Sequence, residues 1–366
     1  MYVKNKHIVI VARELRTSTG RYVERLLHYL QEIDRDNDYT ILLRPEDIAS
    51  WTPTNPRFRA LPCPYKDYTF AEQIGLLQQL NDLKPDLVHF SMTQQPVLYQ
   101  GPVVTTMQDL TIVRFKNPAR NPIVYWTKQQ VFKWVNHRVA HKSRHIITPT
   151  EFVRHDVASY CHVSLDKITA TLEAADELPP SEPINELKNK QFIMYVGQPT
   201  PHKNLARLID AFVILRKSHP DLHLVLAGKI NHNYQQHQER VEREGIKNVI
   251  FTGFISDEQL RWLYEHTLVY CFPSLSEGFG LPGLEAMRHG AVVASSNATC
   301  LPEVYGDAAH YFDPLDTTDM VRAIDDLLSD KALRKTYLER GQNQYKKFSW
   351  RRMAEQTLAV YRNVLK

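Results

Sequence analysis

Short apolar, β-branched runs recur along the 366-residue chain, and each is followed by a longer stretch whose apolar residues repeat with a helical period. That alternation predicts strands and helices wound around parallel sheets. In the first half the predicted strands are His7 to Val11, Tyr39 to Leu43, Leu87 to Phe90, Val103 to Thr106 and His145 to Thr148. Between the first two, Tyr22, Leu26, Tyr29, Leu30 and Ile33 fall on one helical stripe. The pattern lapses from Glu173 to Lys190, where Pro179, Pro180 and Pro183 stand among charged and polar residues, and this reads as a linker. Strands return at Phe192 to Val196, Leu222 to Ala227, Val249 to Thr252, Leu268 to Phe272 and Ala291 to Ser295. A helix over Asn204 to Arg216 should bury Leu205, Leu208, Ile209, Phe212 and Leu215, with Asn204 as its cap. The expectation is an α/β protein of two doubly wound domains, residues 1–175 and 191–347, with 176–190 between them, as the length also suggests. Residues 348–366 read as one more amphipathic helix, with Trp350, Met353, Ala354, Thr357, Leu358, Tyr361 and Leu365 on its apolar side.

Composition adds exclusions. With 43% apolar and 23% charged residues, disorder and fibrous arrays are ruled out. The four cysteines are widely spaced, which argues against a zinc ribbon or a disulfide scaffold. Too few apolar residues follow Met1 for a signal peptide, so a cytoplasmic location is expected. The net charge of +4 is unevenly placed: Arg114 to His145 holds eight lysines or arginines and no acid, so the remainder sums to −4. Phe115, Tyr125, Trp126, Phe132 and Trp134 are interleaved with those charges, while Val131, Val135 and Val139 form a stripe expected to pack inward. Basic and aromatic side chains together suit an anionic membrane surface, so 114–145 is a candidate peripheral contact at the inner membrane face.

Glycine is scarce, yet four of the thirteen lie between Gly278 and Gly290. Gly278, Gly280 and Gly283 spell GxGxxG, but a lone match is weak evidence for a dinucleotide site. Five residues separate the preceding strand from Gly278, and the next strand ends in Ser296 and Asn297 where a ribose-binding acid would be expected. Pro282 instead marks a helix start near Leu281. The amides of Gly280, Leu281 and Gly283 would then face an anion, with the helix dipole behind them. Glu277 before that helix and Glu285 inside it can accept hydrogen bonds from hydroxyls, which describes a phosphate flanked by polyols.

The run Glu277-Gly278-Phe279-Gly280-Leu281-Pro282 through Glu285 resembles the paired-glutamate motif of retaining glycosyltransferases of family 4. Tyr195-Val196-Gly197, Pro201-His202-Lys203-Asn204-Leu205, Phe251-Thr252-Gly253-Phe254-Ile255-Ser256, Leu301-Pro302-Glu303-Val304 and Tyr311-Phe312-Asp313-Pro314 resemble the same family in order, most closely its bacterial polysaccharide mannosyl- and rhamnosyltransferases. The resemblance implies a GT-B architecture, with Rossmann-like domains facing a deep cleft, a C-terminal helix crossing back to the first domain, and sugar transfer from a nucleotide-diphosphate donor to a glycan or lipid-linked acceptor. It implies that Glu285 binds the ribose and Glu277 the transferred sugar, that Gly278, Phe279, Gly280 and Leu281 offer amides to sugar and diphosphate, and that Lys203 neutralises the leaving group. Gly197, the backbone of Phe254 and Ile255 at the base, and Thr19 and Gly20 in the first domain's glycine loop complete the implied donor contacts. Neither a metal nor any other cofactor is expected, nor a nucleic-acid partner. Two departures bear on activity: Met107-Gln108-Asp109 stands where many members have His-Asp, and Gln198 where many have an arginine that His202 or Arg207 would have to replace. Gln108 can bond a sugar hydroxyl but cannot carry charge. Glu277, Lys203, Asp109 and Gln108 are the candidate catalytic residues that the resemblance implies, and a catalytically impaired nucleotide-sugar-binding or scaffold protein is the alternative reading.

Other patterns read as structural. Asp34-Arg35-Asp36 is a DxD inside a polar turn, His137, His141 and His145 recur every four residues among cations, and Glu303 sits near a helix start.

Overall fold

The computed structural model describes residues 5–15, 20–115 and 122–366. They form two compact units. The first holds the described residues as far as Arg114, those from 122 to Glu173, and Ser349–Lys366; the second holds Ala174–Phe348 together with Phe115.

In the first unit β1 (His7–Val11), β2 (Asp38–Leu43), β3 (Phe58–Pro62), β4 (Leu87–Phe90), β5 (Val103–Thr106), β6 (His145–Thr148) and β7 (Ile168–Ala170) make a parallel sheet in the order β3-β2-β1-β4-β5-β6-β7. In the second, β8 (Phe192–Val196), β9 (His223–Ala227), β10 (Val249–Gly253), β11 (Val269–Phe272), β12 (Val293–Ser296) and β13 (Ala309–Phe312) make another, ordered β10-β9-β8-β11-β12-β13. Helices cover both faces of such sheets, which is why β4, β5 and β11 are buried along their whole length. The strand order reverses beside β1 in one sheet and beside β8 in the other. Ligands of open α/β sheets bind beyond the carboxyl ends of the strands at such points.

Three strands escaped the hydrophobic pattern: β3, β7 and β13. Each lies at a sheet edge. Edge strands are short and tolerate polar residues and proline, and Phe-Arg-Ala-Leu-Pro has both. The helix Gly20–Ile33 buries Tyr22, Val23, Leu26, Leu27 and Leu30, whereas Tyr29 and Ile33 are only partly covered. The terminal helix Trp350–Val364 packs against it and belongs to the first unit. Its Tyr361 hydroxyl meets His89 Nδ1 at 2.5 Å, and His89 Nε2 meets Thr106 Oγ1 at 2.8 Å. Thr106 Oγ1 lies 2.9 Å from the Tyr22 hydroxyl. Burial pushes His89 down to about 3, so the buried imidazole is neutral.

The valine stripe needs correction. Within the helix Pro122–Lys142, Val139 is fully buried but Val131 is exposed. Steps of four residues advance about 40° around a helix of 3.6 residues per turn, so the stripe drifts off the core over two steps. Val131, Trp134 and Val135 instead line a mainly apolar cavity of about 570 Å³ with Tyr68, Phe70 and Gln94. Part of the basic segment is also spent locally: Arg114 pairs with Asp156, and Lys142 Nζ donates to the Pro96 carbonyl. Lys116, Arg120 and the side chains of Tyr125 and Lys128 lie outside the described residues.

Two of the other patterns have structural explanations. Asp34 is buried, and although burial opposes its ionisation, hydrogen bonds from Tyr39 and Asn37 hold its carboxyl below the usual range. His145 lies on β6, bonded to Thr169, and is not on the helix that carries His137 and His141.

Candidate functional site

The loops beyond the carboxyl ends of β8 and β11 carry most of the residues singled out in the second unit. After β8 the chain turns at Gly197, whose φ of +143° suits glycine, and a Cβ there would stand 2.8 Å from the Tyr195 hydroxyl. A short 3-10 turn, Pro201–Lys203, then leads into the helix Leu205–Leu215. Asn204 sits at the cap position, but it makes no side-chain cap bond and its φ is +61°. Its Nδ2 donates to the carbonyls of Pro273 (3.1 Å) and Pro314 (2.8 Å). The amide is therefore a clamp between three loops, two of them distant in sequence, and it fixes where Lys203 leaves the backbone. The Leu275 amide adds a second tie, donating to the His202 carbonyl at 2.7 Å.

Across this clamp Lys203 Nζ lies 2.7 Å from Glu277 Oε1, with both side chains mostly buried. The Glu277 backbone N–H donates to Thr299 Oγ1 at 3.1 Å, and its carbonyl accepts from Cys300 Sγ at 3.2 Å. Thr299 and Cys300 were not singled out from sequence, although they directly precede the run Leu301-Pro302-Glu303-Val304. The pair sits beside the helix Leu281–Arg288, which starts where Pro282 indicated. Gly280 has a φ of +89°, and its carbonyl accepts from the Tyr305 hydroxyl at 2.5 Å. The Gly283 amide donates to the Gly280 carbonyl at 3.2 Å, so it is not a free anion donor. The tight first turn consumes it, and the glycine is needed for another reason: a Cβ at Gly283 would lie 2.3 Å from the Tyr305 hydroxyl. Gly278 and Phe279 are buried just before the helix, and Glu285 is buried on it.

Of the candidates for the missing arginine, His202 supplies no charge here, and Arg207 is held by a neutral amide oxygen. Burial, then the Lys203 charge, lowers His202 to about 4, so its ring is neutral. Arg207 Nη1 is bonded to Asn204 Oδ1 at 3.0 Å.

Phe254 and Ile255 follow β10, with Phe254 exposed, and they line a cavity of about 240 Å³. Its opposite wall comes from Ile184, Glu186 and Leu187. The stretch read as a linker is therefore bound to the second unit: the Leu178 N–H donates to His289 Nε2 and the Glu182 N–H to the Glu258 carbonyl. Among the described residues no group of three His, Cys, Asp or Glu is arranged to hold a metal ion.

On the first unit, Gly20 opens the helix after β1, where a Cβ would meet the Leu15 carbonyl oxygen at 2.2 Å. Thr19 lies outside the described residues. Beyond β5, Asp109 Oδ1 accepts the Thr111 N–H at 2.7 Å, capping the short helix Thr111–Arg114. Gln108 Nε2 is buried and has no hydrogen-bond partner among the described residues.

The architecture is that of the GT-B glycosyltransferases. Anabaena HepE, solved in complex with UDP-glucose, matches 98% of this chain and 100% of its own at a TM-score of 0.74 and 14% identity. In sequence, residues 179–344 match the model described as glycosyl transferases group 1, and residues 19–171 that of glycosyltransferase family 4. The O-antigen chain mannosyltransferase B of Escherichia coli is 32% identical over 72% of this chain and 74% of its own. The serotype-specific mannosyltransferase WbdA of the same species is 34% identical over 57% of this chain, a match that spans only 28% of that longer protein. The chain belongs to the family 4 glycosyltransferases.

Proposed function

We propose that the protein transfers a hexose, mannose by analogy with its relatives' names, from a nucleotide-diphosphate sugar to a hydroxyl of a glycan or lipid-linked acceptor in surface polysaccharide synthesis. One observation carries the reading: Lys203 and Glu277 are held together at 2.7 Å beside the N-terminal end of the helix Leu281–Arg288. A diphosphate at that helix end meets the Gly280 and Leu281 amides and the ammonium. Glu277, released from part of its pairing, accepts from hydroxyls of the transferred sugar, while Glu285 serves the ribose. Gln108 Nε2, buried and unpartnered, supports a contact with a sugar hydroxyl on the first unit.

In this mechanism the acceptor oxygen attacks the anomeric carbon on the face the diphosphate leaves, and the departing phosphate takes the acceptor's proton. Configuration is retained and no protein nucleophile forms a bond. Lys203 and the helix end stabilise the charge that grows on the leaving oxygen, without a metal. The acceptor belongs to the first unit, where the aromatic cavity and the exposed Trp126 and Trp134 support a peripheral membrane contact from the cytoplasmic side. Among the described residues no helix is long and apolar enough to cross a membrane.

The test uses purified protein, candidate nucleotide sugars and EDTA, with NMR reading the anomeric configuration of the product. Retained configuration at an undiminished rate is expected. An inverted product, or a rate abolished by EDTA, would sink the mechanism. Nucleotide binding with no release of sugar, even with acceptors present, would favour a non-catalytic binding protein.

A further inference from the structure

Thr299 stands in a backbone conformation that its side chain opposes. Its φ is +53°, in the left-handed region. Asparagine and glycine enter that region readily, but in a β-branched residue the Cβ crowds the backbone, so the surroundings must hold it there. Among the described residues, the other non-glycine positions of the second unit with positive φ are Asn204 and Asn248, both asparagines. A turn that needed only this backbone shape would be served better by glycine. Glycine, however, has no hydroxyl.

The strained turn delivers that hydroxyl to one place, since Thr299 Oγ1 accepts the Glu277 N–H at 3.1 Å. Cys300, the next residue, takes the other end of the same amino acid, with Sγ donating to the Glu277 carbonyl at 3.2 Å. Burial, then the charge of Glu277, pushes the Cys300 thiol up, so it keeps the proton that it donates. From the helix that follows, Leu301–Tyr305, the Tyr305 hydroxyl donates to the Gly280 carbonyl at 2.5 Å. The backbone around Glu277 is thus gripped by one stretch of chain beyond β12. Its carboxylate is held separately, by Lys203 at 2.7 Å. That second tie is conditional: a diphosphate that draws the ammonium to itself weakens it, and the backbone ties are what remain.

We propose that Thr299 is a positioning residue for Glu277, its strained conformation retained because it brings Oγ1 to the Glu277 N–H and so keeps the carboxylate at the transferred sugar once Lys203 turns to the diphosphate. The assignment rests on the reading of Glu277 given above, and Thr299 itself touches neither sugar nor phosphate in it.

The experiment compares Thr299→Gly, Thr299→Ser and Glu277→Ala with the wild-type chain. Release of sugar from GDP-mannose, UDP-glucose or dTDP-rhamnose, whichever the wild-type protein turns over, gives kcat and KM. Calorimetry gives the affinity for the matching nucleoside diphosphate, and melting curves without nucleotide give stability. Thr299→Gly removes strain and hydroxyl together. It should melt no lower than the wild type while kcat falls by on the order of 10–100-fold, the effect of a small misplacement in an active site. Diphosphate affinity should hold, because Glu277 serves the sugar. Thr299→Ser keeps the hydroxyl and loses the branch, so it should retain most of the wild-type kcat and also melt no lower. Stability and activity lost together in Thr299→Gly would mark a merely structural residue and overturn the proposal. So would an undiminished kcat in Thr299→Gly, or a Thr299→Ser chain as impaired as it. Glu277→Ala separates the two levels: full activity there, or no turnover of any of the three sugars by the wild type, overturns the reading of Glu277 and the proposal with it. An impaired Glu277→Ala beside a fully active Thr299→Gly overturns the proposal alone.

Discussion

At Lys203 and Glu277 sequence and structure meet in a single contact. The two were legible from their motifs, and a separation of 74 positions along the chain closes into a 2.7 Å pair. What the motif could not reveal is how the pair is held, because Asn204 works through carbonyls of Pro273 and Pro314 that no pattern connects to it. Lys203→Met removes leaving-group stabilisation and should lower kcat by about 10²–10³, the range for deleting one preorganised charge-stabilising donor. A steady-state assay with nucleotide affinity measured in parallel checks this, and an unchanged kcat would contradict the assignment. Glu173 is another residue whose weight only the fold exposes. Burial pushes its carboxyl up to about 7 from an ordinary 4.5, so the folded state binds a proton more readily than the unfolded one. Its stabilising effect is complete below about pH 4.5 and is lost as pH rises through 7. Glu173→Gln should therefore leave the melting temperature nearly unchanged at pH 4.5 and raise stability at pH 8, by up to about 3 kcal/mol. Melting curves at the two pH values decide it; equal shifts at both would contradict the buried-carboxyl account.

Among the elements, central strands and amphipathic helices were readable because burial on one or both faces writes itself into hydrophobic periodicity. Edge strands β3, β7 and β13 were not, since half their surroundings are solvent or loop. The segment 176–190 misled for a different reason. Prolines and charges look the same in a free linker as in an extended chain pinned by backbone hydrogen bonds, and here Leu178 and Glu182 pin it. The glycine helix gives the sharpest contrast between motif and physics. Gly283 looks like a phosphate residue, yet its amide is consumed and its missing Cβ makes room for Tyr305. Gly283→Ala should cost about 1–3 kcal/mol through overpacking, lowering the second unit's melting temperature by several degrees. A companion Gly283→Ala/Tyr305→Phe variant, which removes the clashing hydroxyl, should recover part of that loss. If it recovers none, the clash is not the cause.

For the whole molecule, the alternation of strand and helix was enough to announce two Rossmann-like units, and a shared ancestry with sugar transferases followed from motifs distributed through the second. The strand order was not legible, because periodicity says which face of a strand is buried and nothing about its neighbours. Nor did periodicity tell where the helix Trp350–Val364 would dock, since an apolar face carries no address. That helix makes the first unit discontinuous along the chain: roughly 175 residues separate Glu173 from Ser349, and the second unit is built from that interval. A ribosome making about 5–20 residues per second would take roughly 10–35 s to cover it. Throughout that time the helix Gly20–Ile33 lacks the terminal helix that packs against it, and His89 lacks its tyrosine. The second unit can complete its core on the nascent chain, whereas the first must wait for a late-arriving piece of itself. Arrested chains ending near residue 348 should accordingly show a protease-resistant second unit and a cleavable first one, giving chaperones a defined interval in which the amino-terminal half is their client.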